Sequence, residues 1–139
     1  MYDLTKKKTM FVYGSLKEGF LNHNLIGEIS LNKKMGKGFV RGFKLYSLHI
    51  IPALKKSGNK NDRVLVEKYN LIEPCFEMID EMEKRAGYIP VEVEDNEGVK
   101  GTIYLYKGSV KEENYIKNGI WSKNFEKMIV EEPKEESTK

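Results

Sequence analysis

The chain has 139 residues, enough for one compact domain whose core needs neither disulfides nor a structural metal. Charged residues make up 32% of it, yet their signs nearly cancel at +3, which argues against a nucleic-acid partner. Cys75 is the one cysteine, so no intramolecular disulfide forms, and with only His23 and His49 beside it a Cys/His zinc site lacks ligands. No stretch is long and apolar enough to span a bilayer. The basic run Lys6 to Lys8 is followed by no apolar segment of signal-peptide length. A soluble cytoplasmic protein with no membrane partner is expected. The basic run itself reads as a solvated stretch before an edge strand.

In chain order, residues 9–14 read as a short buried strand ended by Gly14. Residues 20–27, "FLNHNLIG", read as a helical turn closed by Gly27. Residues 38–54 hold strand pieces in which Gly38 and Gly42 mark bulges or bends, and Pro52 marks a strand end or edge. Residues 55–62 form a polar loop. Residues 63–72 alternate as a strand, with Val64, Val66 and Tyr69 inward. Residues 73–87 form a helix, with Pro74 in its first turn and Gly87 past its end. Residues 88–108 form a hairpin turning at Asp95–Gly98, and 111–118 read as a short helix. Residues 1–130 make one domain, and 131–139 make a mobile charged tail. Several strands and few helices, without βαβ alternation, predict an α+β fold: a small mixed β-barrel-like sheet with a few flanking helices.

The helix over 73–87 carries one anomaly. At about 100° per residue from Phe76, the residues Ile72, Cys75, Met78, Ile79, Met82 and Ala86 share an apolar arc between roughly 200° and 320°. Glu77, Asp80, Glu81 and Lys84 fall on the opposite, solvent side. Glu83 falls at about 340°, between Phe76 and Ile79. Burial there raises a carboxyl pKa and makes it a better proton acceptor near neutrality. The alternative is a carboxylate that snorkels outward or pairs with Lys84 or Lys100.

The loop "YGSL", Tyr13 to Leu16, follows the first strand. A strand that turns at glycine leaves successive backbone N–H groups free to hold a carboxylate or an oxyanion. Gly14 permits close approach of a ligand. Ser15 lacks the Gly-x-Ser-x-Gly setting of a nucleophile. Cys75 reads as an inert core thiol, and the two histidines as solvent or capping groups. Trp121 in "NGIW" reads as a core residue or a pocket lid.

Together these motifs resemble the gamma-glutamylcyclotransferase-like family, and in particular its gamma-glutamylamine cyclotransferase-like members. The matching stretches run from Tyr13-Gly14-Ser15-Leu16 through Pro52-Ala53-Leu54, "VLVEKY" at 64–69, Ile79-Asp80-Glu81-Met82-Glu83, Tyr88 and "VEV" at 91–93 to Gly119-Ile120-Trp121. The resemblance implies the family's barrel-like α+β fold and cleavage of a gamma-glutamyl amine or peptide. In that reaction the substrate's own α-amino group attacks its γ-carbonyl, and 5-oxoproline and a free amine leave. No cofactor or metal is implied. The resemblance makes Glu83 the catalytic acid–base. It implies that Tyr13, Gly14, Ser15, Leu16 and Tyr88 bind the substrate.

Three departures stand out. Lys84 follows Glu83 where the family often has glycine. Val66 precedes Glu67 where it usually has glycine. Tyr88-Ile89-Pro90 lacks the arginine of a Tyr-x-Arg pattern. They leave open a second reading, a non-catalytic protein of the same fold that binds or sequesters a small molecule. A weaker third reading is an interaction module built on "NGIW". The leaving amine and the oligomeric state are not legible in the chain.

Overall fold

The computed structural model describes residues 4–126, so the tail expected over 131–139 lies outside the described residues. The elements in order are β1 (Lys7–Val12), α1 (Asn24–Gly27), β2 (Lys33–Arg41), β3 (Phe43–Leu48), β4 (Ile51–Lys56) and β5 (Arg63–Ile72). Then come α2 (Glu73–Arg85), β6 (Tyr88–Glu94), β7 (Lys100–Tyr106), a 3-10 turn (Glu112–Asn114) and β8 (Tyr115–Ile116). The fold is α+β, as expected. The strands form a five-stranded sheet in the order β2-β5-β1-β7-β6 and a three-stranded sheet in the order β4-β3-β8, not one closed barrel. Among the described residues no helix is long and apolar enough to cross a membrane.

β1 is the middle strand of the larger sheet, not the edge strand that the basic run suggested. It pairs antiparallel with β5 over Lys7–Val12 and parallel with β7 at Met10–Thr102. Lys7 and Lys8 therefore belong to the strand itself. Side chains alternate across a strand, so β1 feeds two separate cores. Met10 and Val12 pack with Leu71, Cys75, Phe76 and Ile79 beneath α2. Phe11 and Tyr13 pack with Val64, Val66, Ile103 and Trp121 on the other face. Trp121 is fully buried and stacks on Phe125 at 4.5 Å, so it is a core residue and not a lid.

The larger sheet curls until its two ends meet. Asn96, at the tip of the β6–β7 hairpin, donates its backbone N–H to the Phe39 carbonyl of β2 and accepts the Phe39 N–H on its side chain (3.0 and 2.7 Å). Gly38 serves this contact. A Cβ there would sit 2.5 Å from Asp95 Oδ2, so the glycine marks close approach and not a bulge. The irregularity in β2 lies between Lys34 and Gly36 instead, where Gly36 has φ +99°. Gly42 makes the expected bend between β2 and β3. Pro52 lies in β4, an edge strand.

Other local expectations shift for clear reasons. Gly27 is the last residue of α1, not its cap, and the His23 ring occupies the space a side chain would need. The segment 111–118 is a 3-10 turn and then a two-residue strand, because Tyr115 and Ile116 pair with Tyr46 and Leu45 of β3. On α2, Cys75, Phe76 and Ile79 are buried, while Met78, Met82 and Ala86 are exposed. Met82 and Ala86, at the C-terminal end of the helix, line a cavity. Asp80 does not face open solvent: its Oδ1 accepts the Tyr104 hydroxyl at 2.6 Å, and its Oδ2 pairs with Lys84 at 2.8 Å.

The curl encloses a charged cluster. Lys68 of β5 is 1% exposed and lies 2.7 Å from Asp95 Oδ2 and 2.5 Å from Glu97 Oε1. Asp95 Oδ1 also accepts the N–H groups of Glu97 and Val99, both at 2.9 Å. Burial alone would raise the Asp95 pKa, but Lys68 and these N–H groups hold it below the ordinary value. Removing one partner of a buried pair leaves the other charge uncompensated, at about 3–5 kcal/mol. Lys68→Ala is therefore expected to destabilise the fold by about that amount, measured by urea denaturation.

Candidate active site

The site forms where β1 ends. Past Val12 the chain leaves the sheet and turns, with the Lys17 N–H donating to the Gly14 carbonyl at 3.0 Å. The backbone N–H groups of Gly14, Ser15 and Leu16 have no partner among the described residues. Tyr13, Gly14, Ser15, Leu16, Glu83 and Tyr88 all line one cavity of about 260 Å³. Strand end, helix and hairpin, distant in the chain, thus converge as the sequence reading anticipates.

The loop is held from several sides. Asn22 donates its backbone N–H to the Ser15 carbonyl and its side-chain N–H to Ser15 Oγ, both at 2.9 Å. Ser15 Oγ is then an acceptor toward Asn22 and keeps its own proton for another acceptor. His23 Nδ1 meets the Leu16 carbonyl at 2.9 Å, which places the ring proton on that nitrogen. Glu67 of β5 is buried and accepts both the Glu18 N–H and the Tyr69 hydroxyl at 2.7 Å. Lys17 is buried as well, donating to the Trp121 carbonyl at 2.7 Å and lying 4.5 Å from the Phe20 ring centroid. Sequence reasoning missed Glu67 and Lys17 as loop anchors. The signal available was Glu67 two residues before an inward Tyr69, on a strand whose partner β1 leads into the loop.

Two loop residues act differently from expectation. A Cβ on Gly14 would fall 2.5 Å from Pro52 Cγ. The close approach that Gly14 permits on this side is that of β4, not that of a ligand. The Tyr13 hydroxyl donates to the Tyr104 carbonyl at 2.7 Å and accepts a backbone hydrogen bond from Leu54. It is consumed by the fold, so Tyr13 offers the cavity its ring and backbone. The Tyr88 hydroxyl donates to the Pro52 carbonyl at 2.5 Å and retains acceptor capacity.

Glu83 is the one charged residue lining the cavity. Its side-chain carboxyl forms no hydrogen bond or ion pair among the described residues. Lys84, the candidate partner, is taken by Asp80, and Lys100 lines a different groove. Burial with no compensating cation pushes the Glu83 pKa up from 4.5 to about 7. Around it, Tyr13, Tyr88 and Tyr104 are all held above the ordinary phenol range, by burial first and by the nearby Glu83 charge as a lesser cause. These phenols stay protonated. Among the residues lining the cavity, Glu83 is the one whose pKa is brought to about 7. Pro90, where the family's arginine is missing, lies outside this cavity, in a neighbouring groove with Lys8 and Asp80. Among the described residues no group of three His, Cys, Asp or Glu side chains is arranged to hold a metal. The Cys75 thiol is buried, and burial pushes its pKa up, as befits an inert core group.

The family model Gamma-glutamyl cyclotransferase, AIG2-like, matches residues 10–123. The chain belongs to that family. Its fold is similar to that of the uncharacterized protein PH0828 from Pyrococcus horikoshii, with TM-score 0.69 and 27% identity over 89% of this chain and 94% of that one. An AIG2-like protein from Mus musculus matches with TM-score 0.66 and 24% identity, over 84% of this chain and 89% of that one. Kluyveromyces lactis allophanate hydrolase contains the same fold, with TM-score 0.71 and 16% identity, over 89% of this chain and 22% of that one. A comparison with curated proteins yields no significant match.

The raised pKa has a sign that stability measurements can read. The protonated Glu83 is favoured by the fold, so its contribution is fully present below the unfolded pKa of 4.5 and is lost as pH rises through about 7. Glu83→Gln, which carries no charge at any pH, is expected to exceed the parent by ~1–3 kcal/mol above pH 8. The gap should close as pH falls toward 4. Urea denaturation at pH 4, 6 and 8 measures it.

Proposed function

We propose that this protein is a cyclotransferase that cleaves a gamma-glutamyl amine or peptide and releases 5-oxoproline. The observation that carries this reading is Glu83. It is an unpaired carboxyl with a pKa of about 7, in the same cavity as a loop of three unpartnered backbone N–H groups. Membership of the family supports the reaction class.

The chemistry follows from these two halves. The substrate's α-carboxylate is an anion, and the N–H groups of Gly14, Ser15 and Leu16, with the Ser15 hydroxyl, suit it or the oxyanion formed later. Ionised Glu83 takes a proton from the α-ammonium group. The freed amine attacks the γ-carbonyl carbon, a C–N bond closes the five-membered ring, and the carbonyl oxygen becomes an oxyanion. Protonated Glu83 then gives its proton to the departing nitrogen. The oxyanion collapses to the lactam carbonyl and the original amide C–N bond breaks; the regenerated Glu83 carboxylate takes the second proton from the ring nitrogen and passes it to the released amine, so that 5-oxoproline and an ammonium product leave. A group with a pKa near the working pH serves both transfers. Nucleophile and electrophile belong to one bound molecule, so holding it folded supplies much of the acceleration. An intramolecular acyl transfer of this kind draws on no cofactor. In this reading the domain over residues 1–130 carries the activity, and the setting is the cytoplasm.

Two measurements test the reading. Purified protein incubated with gamma-glutamyl amides and peptides is expected to release 5-oxoproline, detected by mass spectrometry. Glu83→Gln should lower that rate by roughly 100-fold or more. A variant that keeps the parental rate sinks the assignment. The rate should also rise with pH through about 7, as Glu83 becomes ionised and able to accept the α-ammonium proton. A rate that is flat between pH 5 and 8 argues against Glu83 as the base.

A further inference from the structure

Residues 117–126, after β8, line no part of the cavity, yet they grip the loop that does. The Leu65 N–H of β5 donates to the Gly119 carbonyl at 2.9 Å. A Cβ on Gly119 would overlap the Arg63 carbonyl, so the chain here lies close against β5. Next comes Trp121, fully buried and stacked on Phe125. That burial makes the Trp121 carbonyl a fixed post, and Lys17 Nζ donates to it at 2.7 Å. Further along the loop, the Leu21 N–H donates to Glu126 Oε1 at 3.1 Å. Lys17 and Leu21 do not line the cavity either.

These two ties sit beside the bonds that aim the loop's donors. In a trans peptide the carbonyl and the following N–H point to opposite sides. The Lys17 N–H holds the Gly14 carbonyl at 3.0 Å, and so sets the direction of the Ser15 N–H. The Asn22 N–H holds the Ser15 carbonyl at 2.9 Å, and so sets the direction of the Leu16 N–H. Segment 121–126 therefore holds the side chain of the first residue and the backbone next to the second. Stability alone does not favour a lysine at position 17. Lys17 is 4% exposed and forms no ion pair among the described residues. Glu67 and Glu126, the acids that act on it, are committed to the N–H groups of Glu18 and Leu21. Burial holds its pKa below the ordinary lysine value, with the Glu67 charge opposing that shift. The Phe20 ring, centred 4.5 Å from Nζ, offsets part of the desolvation. An apolar side chain of similar length would fill the same space without burying a charge. What it could not do is hold the Trp121 carbonyl.

We infer that segment 121–126 is a clamp on the loop after β1, with Lys17 as the positioning residue through which it aims the Ser15 N–H, and that the reaction rate depends on this tie although it touches no substrate. The effect on rate rests on the cyclotransferase reading; amide exchange tests the clamp separately.

The experiment uses the full chain, as the parent, as Lys17→Met and as Glu126→Ala. The first variant keeps an unbranched side chain and removes the donor to Trp121. The second removes the acceptor for the Leu21 N–H at a half-buried position, where folding is not at risk. Release of 5-oxoproline from gamma-glutamyl-n-butylamide and gamma-glutamylglycine gives kcat and KM, and a circular-dichroism melt gives stability. Lys17→Met is expected to melt close to the parent, while kcat and kcat/KM fall together by roughly 10-fold or more. Glu126→Ala is expected to lower kcat by roughly 2–5-fold. Amide exchange followed by NMR reads the turn without turnover. In Lys17→Met it is expected to quicken by roughly 10-fold at position 17 and Asn22 and to stay parental at Leu71 of β5. A parental kcat in Lys17→Met, or exchange that quickens equally at Leu71, overturns the inference. If Lys17→Met does not fold, Glu126→Ala decides: parental kcat together with parental exchange at Asn22 overturns the clamp. If the parent releases no 5-oxoproline from either amide, the cyclotransferase reading falls. The clamp then stands on quickened exchange at position 17 and Asn22 and falls with parental exchange there.

Discussion

The site depends on keeping one carboxyl out of water while denying it a cation. Burial alone penalises an ionised group by several kcal/mol, and proteins usually answer by pairing it. Here the nearest lysine in sequence, Lys84, is diverted to Asp80, whose other oxygen is held by the Tyr104 hydroxyl. Asp80 thus serves two ends: it docks α2 on β7, and it removes the cation that would return Glu83 to an ordinary pKa. Glu83 is left facing three phenols that burial keeps protonated. The result is a proton-exchanging group near neutrality, made by what surrounds it more than by any bond it forms.

The contrast between half-buried Glu83 and the fully buried acids Asp95 and Glu67 is instructive. Asp95 is paired with Lys68 and capped by two N–H groups, and its pKa falls. Glu67 accepts two hydrogen bonds and anchors the loop before β2. Each is satisfied, and each stabilises geometry. The same residue chemistry gives a structural strut where partners are supplied and an unpaired carboxyl with a raised pKa where they are withheld. The two are also linked. The Glu67 anchor holds the loop that faces Glu83, and the Lys68–Asp95 cluster holds the curl that brings β7 and its tyrosine beneath α2.

Much of this was legible residue by residue. The alternation over 63–72 and 88–94 and the helical period over 73–85 have local causes, and the strands and α2 form where those patterns lie. Glu83 stood out because a helical wheel depends only on spacing. What failed locally was decided by distant partners. The turn at 111–118 became part strand because β3 offered it an edge. Met82 and Ala86 looked like core positions, yet they line a cavity that the wheel cannot see. Gly14 reads locally as room for a ligand and Gly38 as a bulge or bend, but what approaches them is Pro52 and Asp95, neither of them nearby in the chain.

The sequence by itself determined most of the strands and α2, the family motifs and the one misplaced carboxylate, because periodicity and residue spacing are properties of the local chain. Tertiary structure alone decided that β1 lies in the centre of its sheet and that the Tyr104 hydroxyl holds Asp80. Those outcomes depend on which groups share a desolvated volume, and desolvation and pairing are set by neighbours in space that no local pattern names.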